Sequence, residues 1–161
     1  VDGLKEDSLF LHPTSKAVID VIDESKKNIN YGSNPVVCVL GATGMVGKPL
    51  VKELKKEGYK VTECNHDTGD LKEKTSKADI LISATGVPSL ITCDMVKNGA
   101  TVIDVGSPKG DVDFETVSKK TSFITPVPGG IGPITISCLL ENLIEASSND
   151  KKRLQVPPLL D

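Results

Sequence analysis

The sequence predicts an α/β fold, a doubly wound and mainly parallel sheet with helices on both faces. Three observations carry that prediction. Residues 36–40, 80–84 and 101–105 are short, largely apolar runs rich in β-branched side chains, as strands buried on both faces of a parallel sheet must be. Segments with helical apolar spacing alternate with them, which calls for right-handed crossovers. The glycine-rich stretch 41–49, GATGMVGKP, joins the first of these runs to a helical one.

Each element follows from its own residues. Pro13 and Thr14 open a helix, with Thr14 as N-cap and Ala17, Val18, Val21 and Ile22 on one face, until the polar stretch 28–34 breaks it. Residues 36–40 form the first strand. Val46, Leu50, Val51 and Leu54 sit at helical spacing, and Gly58 is a natural residue to follow the helix end. Residues 59–64 make the second strand, 70–77 a short polar helix, and 80–84 the third strand, closed by Gly86-Val87-Pro88. Thr92 caps a short helix that Gly99 stops; residues 101–105 form the fourth strand; Asp113 caps a helix running through Lys120. Residues 122–125 give a short fifth strand and 125–133, TPVPGGIGP, a loop. A long apolar helix spans residues 134–146, and a polar, Pro-containing tail ends the chain.

Composition narrows the function. A chain of 161 residues is one domain with room for a core that needs neither disulfides nor metal. Nineteen basic against twenty-two acidic residues give a charge of −3, which offers no electrostatic footprint for nucleic acid or anionic membrane. No apolar run approaches the roughly 20 residues of a membrane span, and the first ten residues lack the basic-then-apolar order of a signal peptide. A soluble, cytoplasmic protein is expected. Cys38, Cys64, Cys93 and Cys138 are widely spaced with no C-x-x-C pair, so reduced, mostly buried cysteines are expected and no metal site. The chain begins at Val1 rather than Met, which is expected of a processed protein or of a piece of a longer one.

Gly41, Gly44 and Gly47 follow a strand and open a helix, where free N–H groups and the positive end of the dipole attract an anion. The spacing G-x-x-G-x-x-G differs from the usual G-x-G-x-x-G of dinucleotide sites, yet strand, glycines and helix together favour a dinucleotide over a ligand-free turn. A Walker A loop is excluded, because Pro49 stands where a Mg-binding Ser or Thr is needed. Short-chain dehydrogenases share this kind of turn but need a Tyr-x-x-x-Lys pair; Tyr31 and Tyr59 are followed four places on by Pro35 and Glu63.

Val1-Asp2-Gly3, Thr14-x-Lys16, Val46-Gly47-Lys48-Pro49, residues 77–106 (KADILISATGVPSLITCDMVKNGATVIDVG), GDVDFETV and above all ITPVPGGIGPITISCLLEN resemble the cofactor-binding half of methylenetetrahydrofolate dehydrogenase/cyclohydrolase. The resemblance runs in order along nearly the whole chain and implies a Rossmann-like fold. It implies that Gly41, Ala42, Thr43, Gly44 and Gly47 hold the adenosine-side phosphates, that Ser107 lies near the nicotinamide, and that Gly86 and Thr135 belong to the same cofactor site. It also implies that Pro128, Gly129, Gly130, Ile131 and Gly132 line the folate side and that Asp2 touches the pterin; the alternative for Asp2 is an ordinary turn residue. The chemistry implied is oxidation of a methylene bridge on tetrahydrofolate by hydride transfer to NADP, or to NAD, followed by hydrolysis of the methenyl product.

The family's hydrolytic step uses a lysine in a Tyr-x-x-x-Lys motif on an N-terminal lobe. This sequence has no such motif, so no catalytic residue is assigned within it, and Lys16 is a solvated helix lysine rather than a substitute. The resemblance divides the chain into a linking segment, 1–11, a Rossmann domain, 12–148, and a tail, 149–161, and implies a homodimer. This chain departs from the family at Ala42, where Arg is usual, and at Asn65-His66, where His-Ser is usual after Cys64. Losing Arg removes a charge-assisted grip on the NADP 2′-phosphate worth about 1.5 to 3 kcal/mol. His66 could replace part of it when protonated, Asp67 would repel a phosphate but accept from ribose hydroxyls, and Glu63 lies at a ribose-binding distance after Gly41. A stand-alone dinucleotide-binding module and a short-chain-type reductase stay as alternatives.

Overall fold

The computed structural model describes residues 1–3 and 8–153. Five strands, β1 (Val36–Leu40), β2 (Lys60–Cys64), β3 (Ile80–Ser83), β4 (Thr101–Asp104) and β5 (Phe123–Ile124), form one sheet in the order β2-β1-β3-β4-β5. Every pairing is parallel, with Val37 opposite Val61 and Ile80. The helices are α1 (Pro13–Lys26), α2 (Gly47–Lys56), α3 (Leu71–Thr75), α4 (Phe114–Val117) and α5 (Ile131–Arg153), with a single 3₁₀ turn at Cys93–Met95.

Strand alternation shows why the strands are apolar throughout. Val37, Val39, Ile80, Ile82 and Ile103 point to one face, where they pack with Val18, Ile22, Leu50, Leu54 and Ile131 from α1, α2 and α5. Cys38, Leu40, Leu81 and Val102 point to the other, against Ile91, Val96, Val112 and Val117. Each face has its own core, as a doubly wound sheet requires. Ile82 is fully buried in central strand β3. Ile82→Ala is expected to cost about 2 to 5 kcal/mol, because a lost side chain there leaves a cavity that flanking strands cannot close; urea denaturation checks it.

Several predicted ends move. His12, not Thr14, occupies the N-cap position of α1, with Pro13 at the first helical position and no side-chain cap. The helix expected after Thr92 is one 3₁₀ turn, and the Thr92 hydroxyl bonds the Asp94 carboxylate instead of a backbone N–H. Asp113 does precede α4, but its carboxylate takes the Thr116 hydroxyl at 2.6 Å, and the helix ends at Val117 rather than Lys120. α3 is shorter than expected, with Asp70 in the left-handed region before it. α5 starts three residues early, so Ile131, Gly132 and Pro133 of the expected loop form its first turn; proline is tolerated there because first-turn N–H groups have no intrahelical partner. It also runs on to Arg153, taking in the first residues of the expected tail, while 154–161 lie outside the described residues.

α5 lies along α1. Its other side carries exposed Ile136, Leu139, Leu140, Leu143 and Ile144. Among the described residues no helix is long and apolar enough to cross a membrane. Cys38, Cys64 and Cys138 are buried and Cys93 partly so.

Candidate functional site

The chain passes from β1 outward to β2 and then returns across β1 to β3, so the connections part at the carboxyl ends of β1 and β3. Ligand crevices of open α/β sheets open at such a point. The two loops that flank it touch backbone to backbone. Gly41 has φ 76°, and a Cβ there would stand 2.3 Å from the Ala84 carbonyl oxygen. A Cβ on Gly47 would stand 2.1 Å from the Gly41 carbonyl, so this glycine lets the turn fold back on itself. From below, buried Ser15 of α1 donates its hydroxyl to the Val46 carbonyl at 3.0 Å.

Within the turn most donors are already engaged. The N–H groups of Gly41 and Ala42 both reach the Cys64 carbonyl, at 2.9 and 3.3 Å, and Gly44 N–H bonds the Gly41 carbonyl at 2.9 Å. Thr43 gives its N–H, at 3.1 Å, and its hydroxyl, at 3.2 Å, to the Asn65 carboxamide oxygen. The N–H groups of Met45, Val46 and Gly47 have no acceptor among the described residues. They stand at the amino end of α2, where an anion is favoured. The Ala42 side chain is 3 % exposed and belongs to the core, so this residue can offer a ligand little beyond its backbone.

Two buried carboxylates shape the crevice beyond β3 and β4. Asp104 accepts from Gly106 N–H at 2.8 Å, Asp111 N–H at 3.0 Å and Val112 N–H at 3.0 Å. Asp111, fully buried, accepts at Oδ2 from the Ser83 hydroxyl (2.8 Å), Thr85 N–H (2.7 Å), the Thr85 hydroxyl (2.8 Å) and Gly86 N–H (3.3 Å). Its Oδ1 has no partner among the described residues. The first carboxylate folds the loop after β4 inward, and the second ties it to the loop after β3. Neither aspartate was singled out from sequence, although Gly106 and Gly110 around them mark close backbone approach: a Cβ on Gly110 would lie 2.5 Å from Asp104 Oδ2.

The structure thus brings together Gly41, Thr43, Gly44, Gly47, Asn65 and Gly86. Ser107, exposed, follows β4 and precedes a cis peptide bond to Pro108; Pro128, also after a cis bond, and Gly129 are exposed in the loop after β5. Gly130 packs on the Pro126 carbonyl, Gly132 is exposed, and Ile131 turns its side chain into the core. The Thr135 hydroxyl bonds back to the Ile131 carbonyl at 3.0 Å. His66 is 87 % exposed and pairs with Asp67 at 3.1 Å. Glu63 turns to Lys55 of α2, 2.5 Å away. Asp2 is exposed beside His12, whose imidazole burial pushes down while the Asp2 carboxylate opposes the shift. Asn142 of α5, also missed from sequence, holds this start of the chain through the Val1 and Leu11 carbonyls at 2.9 and 3.1 Å. Lys16 pairs with Glu141 across α1 and α5 at 2.7 Å. A groove of 1030 Å³ lies between α2 and the segment before α1 and is lined by Thr43, Gly44, Met45, Lys48, Lys52 and Phe10 among others. The described residues contain no group of three or more His, Cys, Asp or Glu placed to hold a metal.

Comparison with known proteins shows the family and the fold. The family model of the tetrahydrofolate dehydrogenase/cyclohydrolase NAD(P)-binding domain matches residues 12–151. The bifunctional protein FolD of Nautilia profundicola is 43 % identical over 162 residues, which cover 96 % of this chain and 55 % of that protein. Among solved structures, the FolD enzyme of Campylobacter jejuni is 41 % identical with a TM-score of 0.80, over 89 % of this chain and 52 % of that one. The methylenetetrahydrofolate dehydrogenase-cyclohydrolase of Trypanosoma brucei, solved with NADP and an inhibitor, is 33 % identical with a TM-score of 0.78, over 91 % and 52 %. The chain spans about half the length of these relatives. It belongs to the tetrahydrofolate dehydrogenase/cyclohydrolase family, and the part of that family it matches is the NAD(P)-binding domain.

Proposed function

We propose that this chain is the dinucleotide half of an enzyme that oxidises 5,10-methylenetetrahydrofolate to the 5,10-methenyl compound by hydride transfer to a nicotinamide dinucleotide. Hydrolysis to 10-formyltetrahydrofolate then uses an N-terminal lobe that carries the catalytic lysine. NADP is the cofactor implied by the resemblance and named for the Trypanosoma brucei neighbour. The observation that carries the reading is the switch-point crevice itself, where loops after β1 and β3 meet and three N–H groups stand unclaimed at the start of α2.

In this reading Met45, Val46 and Gly47 offer those N–H groups to the dinucleotide phosphates, with Gly41, Ala42, Thr43 and Gly44 shaping the turn around them. Gly86 and Ser107, at the ends of β3 and β4, and Thr135 at the start of α5 line the path toward the nicotinamide. Pro128, Gly129, Gly130 and Gly132 flank the folate side with little side-chain bulk, Ile131 anchors that loop in the core, and Asp2 meets the pterin. The protein's share of hydride transfer is positioning and exclusion of water. Tyr31 and Tyr59 do not offer the short-chain-dehydrogenase alternative. Both lie at the amino edge of the sheet, away from the crevice, and the Tyr31 hydroxyl is shared with Ser25 and Thr101, at 2.7 and 2.5 Å.

The expected result is that the natural polypeptide carrying both lobes reduces its dinucleotide in step with loss of 5,10-methylenetetrahydrofolate, while this chain alone binds dinucleotide with little turnover. Absence of dinucleotide reduction by the two-lobed polypeptide would sink the reading. The domain boundaries 1–11, 12–148 and 149–161 and the homodimer belong to the same proposal. The exposed apolar stripe on α5 supports an association of this kind. Light scattering should give a dimer mass at high micromolar concentration, and a monomer mass there counts against it.

A further inference from the structure

The adenosine end of the crevice lies where β1 and β2 end together. In open α/β folds, residues just after the second strand meet the ribose hydroxyls of NAD or the 2′-phosphate of NADP. Here that position holds Asn65. Its carboxamide oxygen receives both Thr43 donors, at 3.1 and 3.2 Å. The orientation of the amide follows from chemistry, because a backbone N–H can be met only by the oxygen. Asn65 is itself pinned: its N–H donates to the Thr68 hydroxyl at 2.8 Å, and Thr68 N–H returns to its carbonyl at 3.0 Å.

The surroundings have the same polarity. Ala42 brings no cation and is buried. The His66 imidazole is faced by Asp67, and Lys55 is taken by Glu63. Asp70 adds a further exposed carboxylate after this loop. Lys48 and Lys52 line a groove between α2 and the segment before α1 that Thr43 and Gly44 also line, and that includes neither Asn65 nor His66. A ribose 2′-hydroxyl can donate to a carboxamide oxygen or a carboxylate. A 2′-phosphate has little to donate and needs donors or cations; here the two Thr43 donors go to Asn65, which leaves the Asn65 amide N–H groups, neutral donors shared equally well with a ribose hydroxyl.

We propose that Asn65 is a specificity-determining residue that holds the Thr43 donors away from a ribose 2′-phosphate, so that this chain takes NAD in preference to NADP. The proposal rests on the reading of the crevice as a dinucleotide site and deepens it. Calorimetric titration of the full chain with NAD and with NADP tests both. NAD should bind tighter by about tenfold or more, the scale of one missing charge-assisted contact. Asn65→Ser, which frees the Thr43 N–H and hydroxyl, should move the NAD/NADP affinity ratio about tenfold toward NADP. Asn65→Asp, which keeps an acceptor for Thr43 but adds charge, should weaken NADP further relative to NAD. Equal affinities, or tighter NADP, in the unaltered chain overturn the specificity inference and leave the crevice intact. An NAD/NADP ratio unmoved by either substitution overturns the role of Asn65. Failure of both dinucleotides to bind overturns the crevice reading and this proposal with it.

Discussion

Asp111→Ala is expected to destabilise the chain by about 3 to 5 kcal/mol and to weaken dinucleotide binding by about tenfold. The carboxylate is fully buried and collects four donors at one oxygen, two of them backbone N–H groups of the loop after β3. With the acceptor gone, the buried Ser83 hydroxyl is left in a dry site and the half-buried Thr85 donors lose their partner, and such a group costs about 1 to 3 kcal/mol when it cannot reach water, less where water can enter, as at exposed Gly86. The effects fall short of the sum because the loop can open, and that opening is what lowers affinity. Asp111→Asn keeps an acceptor oxygen of the same shape and should cost about 1 to 2 kcal/mol. Urea denaturation of both variants, with NAD titration of each, checks the order. A loss for Ala no larger than for Asn would show that the four bonds do not stabilise the fold.

Gly41→Ala is expected to remove measurable dinucleotide binding and to cost about 3 kcal/mol or more of stability. Two effects combine in it. The residue sits at φ 76°, where an L side chain is strained, and the new Cβ would meet the Ala84 carbonyl at 2.3 Å. Backbone cannot swing aside as a side chain can, so the loops that flank the crevice must separate. Gly58→Ala separates the two effects, because Gly58 has φ 90° with nothing within 4 Å of a Cβ. It should cost about 1 to 2 kcal/mol, the strain alone, and leave binding unchanged. If the two alanine variants proved equally destabilised, the contact between the loops would carry no energy.

The strands were legible because each is buried on both faces, and a fully apolar five-residue run has few other places to go. Residues 36–40 are strand in both readings, and the other strands shift by no more than two residues at an end. Helix starts were legible where backbone geometry dictates them, as at Pro13 and Gly47, and also after Asp113. Thr92 and Asp113 hold the N-cap positions expected of them without making a side-chain cap bond, for a common reason. Each had a side-chain partner two or three residues on, and those short local bonds replaced the cap.

For the site, the sequence determined the glycine turn and its place between strand and helix, since spacing and composition encode local backbone demands, whereas the PGGIG stretch splits between a loop and the first turn of α5. The family followed from the same stretches. What a side chain meets across the sheet was decided only in three dimensions. Asp104 falls in the expected fourth strand and Asp111 among glycines and further acids, and nothing local marks what either carboxylate meets; the parallel crossovers bury them beneath the loops they hold. Asn65 and Thr43 are 22 positions apart, and only the pairing of β1 with β2 brings one carboxamide oxygen onto both donors. Local periodicity fixes how the chain folds back on itself at each turn, whereas the partner of a buried polar group depends on which strands become neighbours, a choice made by the whole core at once.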